Sequence, residues 1–211
     1  MKIILASSSP RRKELLSFLI DDFEIILSNV DEEALSRLAR TPEEMVVKLA
    51  QAKAKAVAKN LKEPAIVIGS DLTVVLEESG KWEAIGKPKT KEIAFQMLTK
   101  LRNKSHKVIT GVCVLNSQSK QMITDLDVSK VRFKDFSEKS LKKYLNEFNR
   151  LDCAAGYKIQ DIGDDILAEF KGSYTNILGL PLKKLVVILR AFGVKVNKEW
   201  RKKTKKEYSY E

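Results

Sequence analysis

The spacing of apolar and polar positions along the chain switches repeatedly between that of strands and that of helices. Residues 65–68 form a continuous apolar run that ends at Gly69, which predicts a buried central strand. Apolar residues at helical spacing predict a long helix over residues 42–60. The other predicted elements are strands at 2–5, 23–27, 73–76, 106–115 and 121–133 and helices at 10–19, 91–101, 137–148 and 181–191, with further strands in the glycine-rich region between the last two helices. This order combines parallel and antiparallel pairing with helices, so we expect a mixed α/β (α+β) fold rather than a plain doubly wound sheet.

The composition of the chain indicates a domain boundary near its C-terminal end. With 211 residues and 44% hydrophobic content, the chain is long enough to bury a sizeable core. The net charge of +11 favours an anionic partner. Residues 195–211 are basic and poor in aliphatic side chains, which indicates a solvated or frayed terminus or, alternatively, a nucleic-acid arm. We therefore divide the chain into a domain of residues 1–194 and a basic tail of residues 195–211.

Several classes of protein do not fit the sequence. There is no run of about eighteen apolar residues, and a predicted strand follows Met1 without the apolar region of a signal peptide. We therefore expect a cytosolic protein without a membrane partner. Cys113 and Cys153 lack CxxC spacing, which argues for two reduced, buried thiols rather than a zinc site or a disulfide. His106 is the single histidine and starts a predicted strand, so a structural role is favoured over partnership with a nucleophile.

The segment LASSSPRR, residues 5–12, brings hydroxyls and two arginines to the start of the first helix. Ser8 or Ser9 can cap this helix, and Pro10 suits its first turn. Backbone N–H groups at a helix start attract anions, and Arg11 and Arg12 offer bidentate donors to phosphate oxygens. The segment therefore predicts a grip for a triphosphate, with an ordinary capped helix and a solvated basic first turn as the alternative. No GxxxxGK[ST] phosphate loop is present.

Acidic residues supply the second candidate. Asp71 follows the apolar strand and a Gly-Ser step, where it can bind a divalent ion or accept a proton from water; the alternative is a turn aspartate that caps its own backbone. Glu32 and Glu33 provide either a metal-binding acid or the acidic first turn of a helix. Lys53 lies close to the apolar stripe of the 42–60 helix and points either to solvent or into a polar cleft.

Three further regions carry candidate binding residues. Lys87 lies in the loop GKP, as a phosphate contact or a surface turn residue. The glycine-rich stretches CAAGYKIQDIG and GSYTNILGLP offer the polar side chains Gln160, Ser173, Tyr174 and Asn176. The amide of Gln160 can read the edge of a base because it has both a donor and an acceptor. Without other information, these stretches also suit turns and barrel corners.

Eight motifs occur in an order and at spacings that resemble the Maf family of nucleoside triphosphate pyrophosphatases, also called septum formation proteins. They are LASSSPRRKELL, the Glu of VDE, LAQAKA, GSD, GKP, HKVITG, AAGYKIQ and GSYTNILGLPL, and they span residues 2 to about 192. The resemblance implies an inosine-triphosphatase-like fold: an elongated, bent mixed sheet flanked by helices, with a cleft between two lobes. It also implies a homodimer.

The resemblance assigns roles to individual residues. It implies hydrolysis of a nucleoside triphosphate to the monophosphate and pyrophosphate with Mg²⁺ or Mn²⁺. Asp71 resembles the catalytic acid that accepts a proton from the attacking water, although it could mainly hold the ion, together with Glu32. The positions that match the family's substrate and metal residues are Ser7, Arg11, Arg12, Glu32, Lys53 and Lys87. Phosphoanhydride hydrolysis needs charge neutralisation and an in-line water rather than a covalent nucleophile, which agrees with these residue types.

Three positions that bear on substrate choice give a divided answer. Arg11 and Gln160 resemble the branch of the family that hydrolyses dTTP and UTP, but Leu72 replaces its usual threonine. The Gly-Ser step and LDCA resemble the branch acting on 7-methyl-GTP, which typically carries tryptophan and glutamate in place of Arg11 and Gln160. Leucine cannot hydrogen-bond a base or ribose, so Leu72 is expected to loosen discrimination. We expect dTTP and UTP as substrates, with 7-methyl-GTP and modified pyrimidine nucleotides as alternatives.

Two hypotheses from other classes stay open: a nucleic-acid-binding module without catalysis, and a regulator of division whose nucleotide site only senses its ligand. Against the first, no RNP, KH or zinc-finger signature is present, and aromatic residues are not interleaved with the basic ones. Nucleic acid is therefore not expected as a partner.

Overall fold

The computed structural model describes residues 1–148 and 150–208. Its strands are β1 (Lys2–Leu5), β2 (Glu24–Ile25), β3 (Ala65–Glu78), β4 (Lys81–Ile85), β5 (Ser105–Asn116), β6 (Met122–Phe133) and β7 (Leu167–Lys171). Its helices are α1 (Pro10–Ser17), α2 (Glu32–Arg37), α3 (Pro42–Lys59), α4 (Lys91–Leu101), α5 (Glu138–Glu147), α6 (Gly163–Ile166), α7 (Tyr174–Ile177), α8 (Leu182–Ala191) and α9 (Trp200–Tyr208). Residues Ala154–Gly156 form a 3₁₀ turn. The mixed α/β class predicted from the sequence is confirmed.

The strands form one seven-stranded sheet in the order β2-β1-β3-β5-β6-β7, with β4 paired to β3 beside this path. β1 is parallel to both of its neighbours, whereas β3 and β4 are antiparallel, as are β6 and β7. Leu5 at the end of β1 pairs with Ile68, the fourth residue of β3. The loop that follows β1 therefore leaves the sheet beside the part of β3 that carries Ser70 and Asp71.

The chain divides into two compact units. The first contains residues 1–71, 110–127 and 173 onwards, and the second contains residues 72–109 and 128–172. In the first unit, one face of α3 packs on β1, β3 and β5. The buried residues of this cluster are Ile4, Ala6, Ala50, Ala54, Val57, Ala58, Ala65, Val67, Cys113 and Leu115. The core of the second unit includes a group of edge-to-face aromatic rings around Phe133.

Helix α3 has a well-marked start and lies unusually close to the sheet. The side chain of Thr41 accepts a hydrogen bond from the backbone of Glu44, and Pro42 occupies the first turn, as expected for a helix N-terminus. A Cβ atom placed on Gly69 would lie 2.1 Å from the carbonyl oxygen of Ala50. Only glycine at this strand position lets the helix backbone touch the sheet, so this contact sets the distance between α3 and β3.

The structure corrects several sequence-based expectations. The apolar run 65–68 and the extended residues 73–76 belong to one strand, β3, because the Gly-Ser step does not interrupt it. Only residues Glu24–Ile25 of the expected strand 23–27 form β2. The glycine-rich region between α5 and α8 holds a single strand, β7, with short helices. Helix α2 begins at Glu32, as the alternative of an acidic first turn at Glu32 and Glu33 predicts.

The basic segment after residue 194 also differs from the expectation of a solvated or frayed end. Its residues 200–208 form α9, and Trp200, Thr204 and Tyr208 are buried. These three side chains recur every four residues, so they form a stripe on one side of a helix whose other side is basic. Residues 209–211 lie outside the described chain, and the division into residues 1–194 and 195–211 stays a prediction.

The remaining structural expectations concern single residues. Cys113 and Cys153 are both buried and do not form a disulfide, as predicted. Among the described residues, no helix is long and apolar enough to cross a membrane. His106 is buried in the second unit, where its Nε2 lies 2.7 Å from the hydroxyl of Tyr157. Burial lowers the pKa of His106 to about 3, so its ring is neutral in the fold, in keeping with a structural role.

Candidate active site

A buried lysine joins two carboxylates in the first unit. The Nζ atom of Lys53 donates to Asp71 Oδ1 at 2.6 Å and lies 2.8 Å from Glu32 Oε1. The side chains of Lys53 and Asp71 are 7% and 11% exposed, whereas that of Glu32 is 51% exposed. A buried ammonium is costly unless it is paired, and here it has two anionic partners. Lys53 therefore points into a polar cluster and not to solvent.

This cluster decides between the alternatives left open for the acids. Asp71 lies inside β3 and contacts Lys53, so it does not cap a turn. Glu32 and Glu33 both begin α2, after the N-cap Asp31, but their side chains differ in direction. Glu33 pairs with Arg37 on the exposed surface of the helix, and Glu32 reaches the buried Lys53. Both acids therefore form the acidic first turn of α2, and Glu32 in addition pairs with Lys53.

The guanidinium of Arg12 is held from two directions. Its Nε donates to the carbonyl oxygen of Gly179 at 2.8 Å, and its Nη1 donates to Ser7 Oγ at 3.2 Å. Ser7 is buried and also accepts the backbone N–H of Ser9, whose side chain caps α1. The capped start of α1 and the fixed Arg12 are therefore built together from the segment LASSSPRR, which leaves the guanidinium in one orientation.

The electrostatics of Arg12 place the arginines and the acids in one cluster. Burial lowers the pKa of the Arg12 guanidinium, and the neighbouring positive charge of Arg11 acts in the same direction. The carboxylates of Asp71 and Glu32 oppose this shift by stabilising the charged form. Asp71, Glu32 and Arg11 therefore lie close enough to Arg12 for their charges to act on its guanidinium.

Two residues of this site, Ser70 and Gly179, were not identified as candidates from the sequence. The hydroxyl of Ser70 is fully buried, 2.9 Å from the carbonyl of Gly111 and 3.0 Å from that of Gly179. Gly179 is the residue whose carbonyl also accepts from Arg12. Ser70 therefore links β3 to the loop that orients the guanidinium. The available signal was a serine inside an otherwise apolar buried strand, because a hydroxyl placed there must find a partner.

The structure also locates the other predicted binding residues. Leu72, Lys87 and Gln160 belong to the second unit: Leu72 is half-buried on β3, Lys87 is exposed in the loop before α4, and Gln160 is exposed in a turn. Their part in binding stays a prediction. Ser173, Tyr174 and Asn176 are buried in the first unit, and Ser173 caps α7 through the backbone N–H of Asn176.

The predicted metal ligands were compared with the donor set that the structure provides. Among the described residues, no group of three or more His, Cys, Asp or Glu side chains could hold a metal ion. Asp71 and Glu32 nevertheless contact the same ammonium group, so two carboxylates converge on one point. Mg²⁺ commonly binds one or two carboxylates together with substrate phosphates and waters, and two acids fit that pattern.

Comparison with known proteins shows the family. A family model described as Maf-like protein matches residues 2–192. A dTTP/UTP pyrophosphatase of Clostridium perfringens (strain 13 / Type A) is 38% identical over 196 residues, which cover 93% of this chain and 100% of the relative. A dTTP/UTP pyrophosphatase of Thermoanaerobacter sp. (strain X514) is 41% identical over 197 residues, with the same coverage.

Among solved structures, a HAM1 protein from Coxiella burnetii is similar with a TM-score of 0.48 and 16% identity, over 90% of this chain and 99% of that one. The sequence relatives are far closer, and they align over nearly the whole of this chain and of themselves. Because the family match also spans residues 2–192, the chain belongs to the Maf family that its motifs resemble.

Proposed function

We propose that this protein is a nucleoside triphosphate pyrophosphatase that converts dTTP and UTP to their monophosphates and pyrophosphate. The observation that carries the proposal is the cluster in which Lys53 joins Asp71 and Glu32 beside Arg12. Relatives about as long as this chain, at 38% and 41% identity, are named dTTP/UTP pyrophosphatase. A hydrolase of acid anhydrides needs both an acid near the reacting phosphate and cations around it, and the cluster supplies both.

The cationic side of the site is suited to a triphosphate. The start of α1 offers backbone N–H groups to an anion, and Arg12 adds a guanidinium whose orientation is fixed by Ser7 and Gly179. Lys53 adds a second positive charge beside the carboxylate that it holds. These groups bind the substrate and neutralise negative charge that develops on the phosphates.

The acidic side of the site is suited to activating water. We propose that Asp71 accepts the proton of the attacking water, because its carboxylate is nearly buried and held in place by Lys53. Glu32 and Asp71 would hold Mg²⁺ or Mn²⁺. When bound, such an ion would neutralise phosphate charge and promote the attack of water.

The choice of dTTP and UTP rests on the relatives and on two residues. Arg11 and Gln160 match the dTTP/UTP branch, and Leu72 departs from it. A leucine there can make only apolar contacts, so we expect weaker discrimination among nucleotides than in an enzyme with threonine. The Gly-Ser step before Asp71 keeps 7-methyl-GTP as the second candidate. We also propose a homodimer, on the family resemblance, and a cytoplasmic location, as expected from the sequence.

The direct test is an assay of products with Mg²⁺ and a panel containing dTTP, UTP, 7-methyl-GTP, the other standard triphosphates and modified pyrimidine triphosphates. The proposal expects the monophosphate and pyrophosphate, with dTTP and UTP turned over fastest. Release of diphosphate and orthophosphate would contradict it. A preference for 7-methyl-GTP would replace the substrate and keep the reaction. Leu72→Thr should sharpen the preference for dTTP and UTP.

Three variants separate the active-site residues from a neighbouring acid. Asp71→Asn should lower kcat by about 10²- to 10⁴-fold, the usual contribution of a general base. Glu32→Gln should raise the Mg²⁺ concentration needed for half-maximal rate. Glu33→Gln is the matched control, since Glu33 begins the same helix but pairs with Arg37 at the surface. Equal effects of Glu32→Gln and Glu33→Gln would remove Glu32 from the site.

A further inference from the structure

Helix α9 lies beyond residue 192, where the match to the family ends, and it packs against the helix that carries the site arginines. The hydroxyl of Tyr208 donates to Glu14 Oε1 of α1 at 2.9 Å, and its ring packs edge-on against Phe18. Trp200 and Thr204 are buried on the same side of α9. The helix is thus fixed to the first unit along one apolar stripe.

The opposite side of α9 carries a dense group of positive charges, which we call the α9 basic face. Its members are Arg201, Lys202, Lys203, Lys205 and Lys206, and all five are exposed. At about 100° per residue, these side chains cover an arc of about 200° centred opposite the buried stripe. Glu207 lies at the edge of this arc, next to the buried stripe.

Within the part of the chain that the structure describes, most of this charge has no ionic partner. Lys202 pairs with Glu199 at 2.8 Å. Within residues 1–148 and 150–208, Arg201, Lys203, Lys205 and Lys206 form no salt bridge. The guanidinium of Arg201 lies over the ring of Trp200, with its Cζ atom 5.4 Å from the ring centroid, which holds it at the helix surface. The α9 basic face is therefore a set of cations on a fixed helix rather than a mobile basic tail.

The shape of this face indicates what it can bind. The side chains diverge from a convex helix surface, so they cannot converge on one small anion. They can instead follow a row of phosphates, and duplex DNA presents one charge per about 1.7 Å of its axis. A membrane-surface helix inserts its apolar side, but the apolar side of α9 is already buried, with Tyr208 in contact with Glu14 and Phe18. The geometry therefore favours nucleic acid over a lipid surface.

We propose that the α9 basic face binds the phosphate backbone of nucleic acid without sequence preference. This inference replaces the sequence-based expectation that nucleic acid is not a partner. It does not depend on the proposed hydrolysis of dTTP and UTP, because none of the five basic residues belongs to the nucleotide site. The function of such a contact is to hold the enzyme near nucleic acid.

The test is fluorescence anisotropy of a labelled DNA duplex of about 20 base pairs, titrated with the full chain between about 50 and 200 mM salt. Five backbone contacts give a slope of about −4 for log K against log salt concentration. The variant replaces Lys202, Lys203, Lys205 and Lys206 by Gln, a good helix former, so that α9 is retained. We expect it to bind at least about tenfold more weakly at the lower salt concentration, with a slope near −1.

A matched control removes the same amount of charge elsewhere. It replaces the four exposed residues Lys91, Lys139, Lys142 and Lys143, on α4 and α5, by Gln. The control should bind DNA like the wild type. Both variants should keep the wild-type rate of dTTP hydrolysis and the wild-type circular dichroism spectrum. If dTTP is not hydrolysed by any form, the proposed function fails while the DNA measurement still stands.

Four results would overturn the inference. The first is that the α9 variant binds DNA as tightly as the wild type, and the second is that the control variant loses as much DNA binding as the α9 variant. The third is that a non-hydrolysable dTTP analogue abolishes DNA binding by the wild type. The fourth is that the wild type binds vesicles of anionic phospholipid but not the duplex. The second would mean that net charge alone attracts DNA, and the third would mean that DNA occupies the nucleotide site.

Discussion

Replacement of Gly69 by alanine tests how the distance between α3 and β3 sets the active site. A Cβ atom at this position would lie 2.1 Å from the carbonyl oxygen of Ala50 and 3.0 Å from the backbone nitrogen of Ala54. Both neighbours are backbone atoms of α3, so no side chain can rotate away. The helix or the strand has to move.

The size of this movement follows from the contact distance. An ordinary contact begins near 3.4 Å, so the Cβ and the Ala50 oxygen must separate by about 1.3 Å. Lys53 comes directly before Ala54 on the same helix, and its Nζ lies 2.6 Å from Asp71 on the same strand as Gly69. A displacement of about 1.3 Å is enough to take this pair out of hydrogen-bond reach. A misplacement of about 1 Å at an active site lowers the rate by about 10²-fold.

We therefore expect Gly69→Ala to lower kcat for dTTP by about 10²-fold and to destabilise the fold by about 1–3 kcal/mol. Steady-state kinetics and urea unfolding measure the two effects. Val57→Ala is the control, since it truncates a buried side chain of α3 that does not set the helix-to-strand distance. It should cost about 2 kcal/mol of stability but keep kcat within a few fold.

Two outcomes would refute this reasoning. A destabilised Gly69→Ala enzyme with wild-type kcat would show that the Lys53–Asp71 contact does not limit catalysis. A loss of rate in Val57→Ala as large as that in Gly69→Ala would mean that the assay reports general loosening of the fold.

The remaining predictions concern Ser70 and His106. Ser70→Ala removes a buried hydrogen bond to the carbonyl of Gly179, which also accepts a hydrogen bond from Arg12. We therefore expect the KM for dTTP to rise more than kcat falls. An unchanged KM in steady-state kinetics would exclude Ser70 as a positioning residue for Arg12. His106 has a folded pKa of about 3 and an ordinary pKa of 6.5, so the unfolded chain binds a proton first as the pH falls. As the pH falls from 6.5 towards 3, the free energy of unfolding of the wild type should fall relative to that of His106→Gln. The difference should grow by about 1.4 kcal/mol per pH unit. The free energy of unfolding of both proteins would be measured in urea at pH 7 and pH 4.5. An equal change in the two proteins between these pH values would contradict the prediction.

Much of the fold was predictable from local sequence. The strand Lys2–Leu5 and the helix Lys91–Leu101 were predicted with the bounds that the structure has, because apolar spacing and flanking turns act within a few residues. The start of α1 was also predictable, since the residues that cap it adjoin it. The two-residue strand β2 was not, because strand length depends on the neighbouring strand.

The sequence predicted which residue types form the site but not the directions in which their side chains point. Residue type alone offered Glu32 and Glu33 on equal terms, and the family resemblance pointed to Glu32. In the structure, the position of Lys53 on a separate helix distinguishes the two acids. The direction of Lys53 depends in turn on the close contact at Gly69, which joins residues far apart in sequence.

The burial of helix α9 could not be predicted from the composition of its segment. Its composition is that of a solvated tail, yet three side chains at helical spacing bury one side of it. Composition averages over both sides of a helix, so it hides a narrow apolar stripe beneath many basic residues.

The central claim is that Lys53 and Asp71 act as one unit in hydrolysis, and a double-mutant cycle tests it most directly. The kcat of dTTP hydrolysis would be measured for the wild type, Lys53→Met, Asp71→Asn and the double variant, after each is shown to be folded. Residues that work as a unit have strongly non-additive effects, so the double variant should be within about tenfold of the slower single variant. A double variant slowed by the full product of the two single effects would contradict the account.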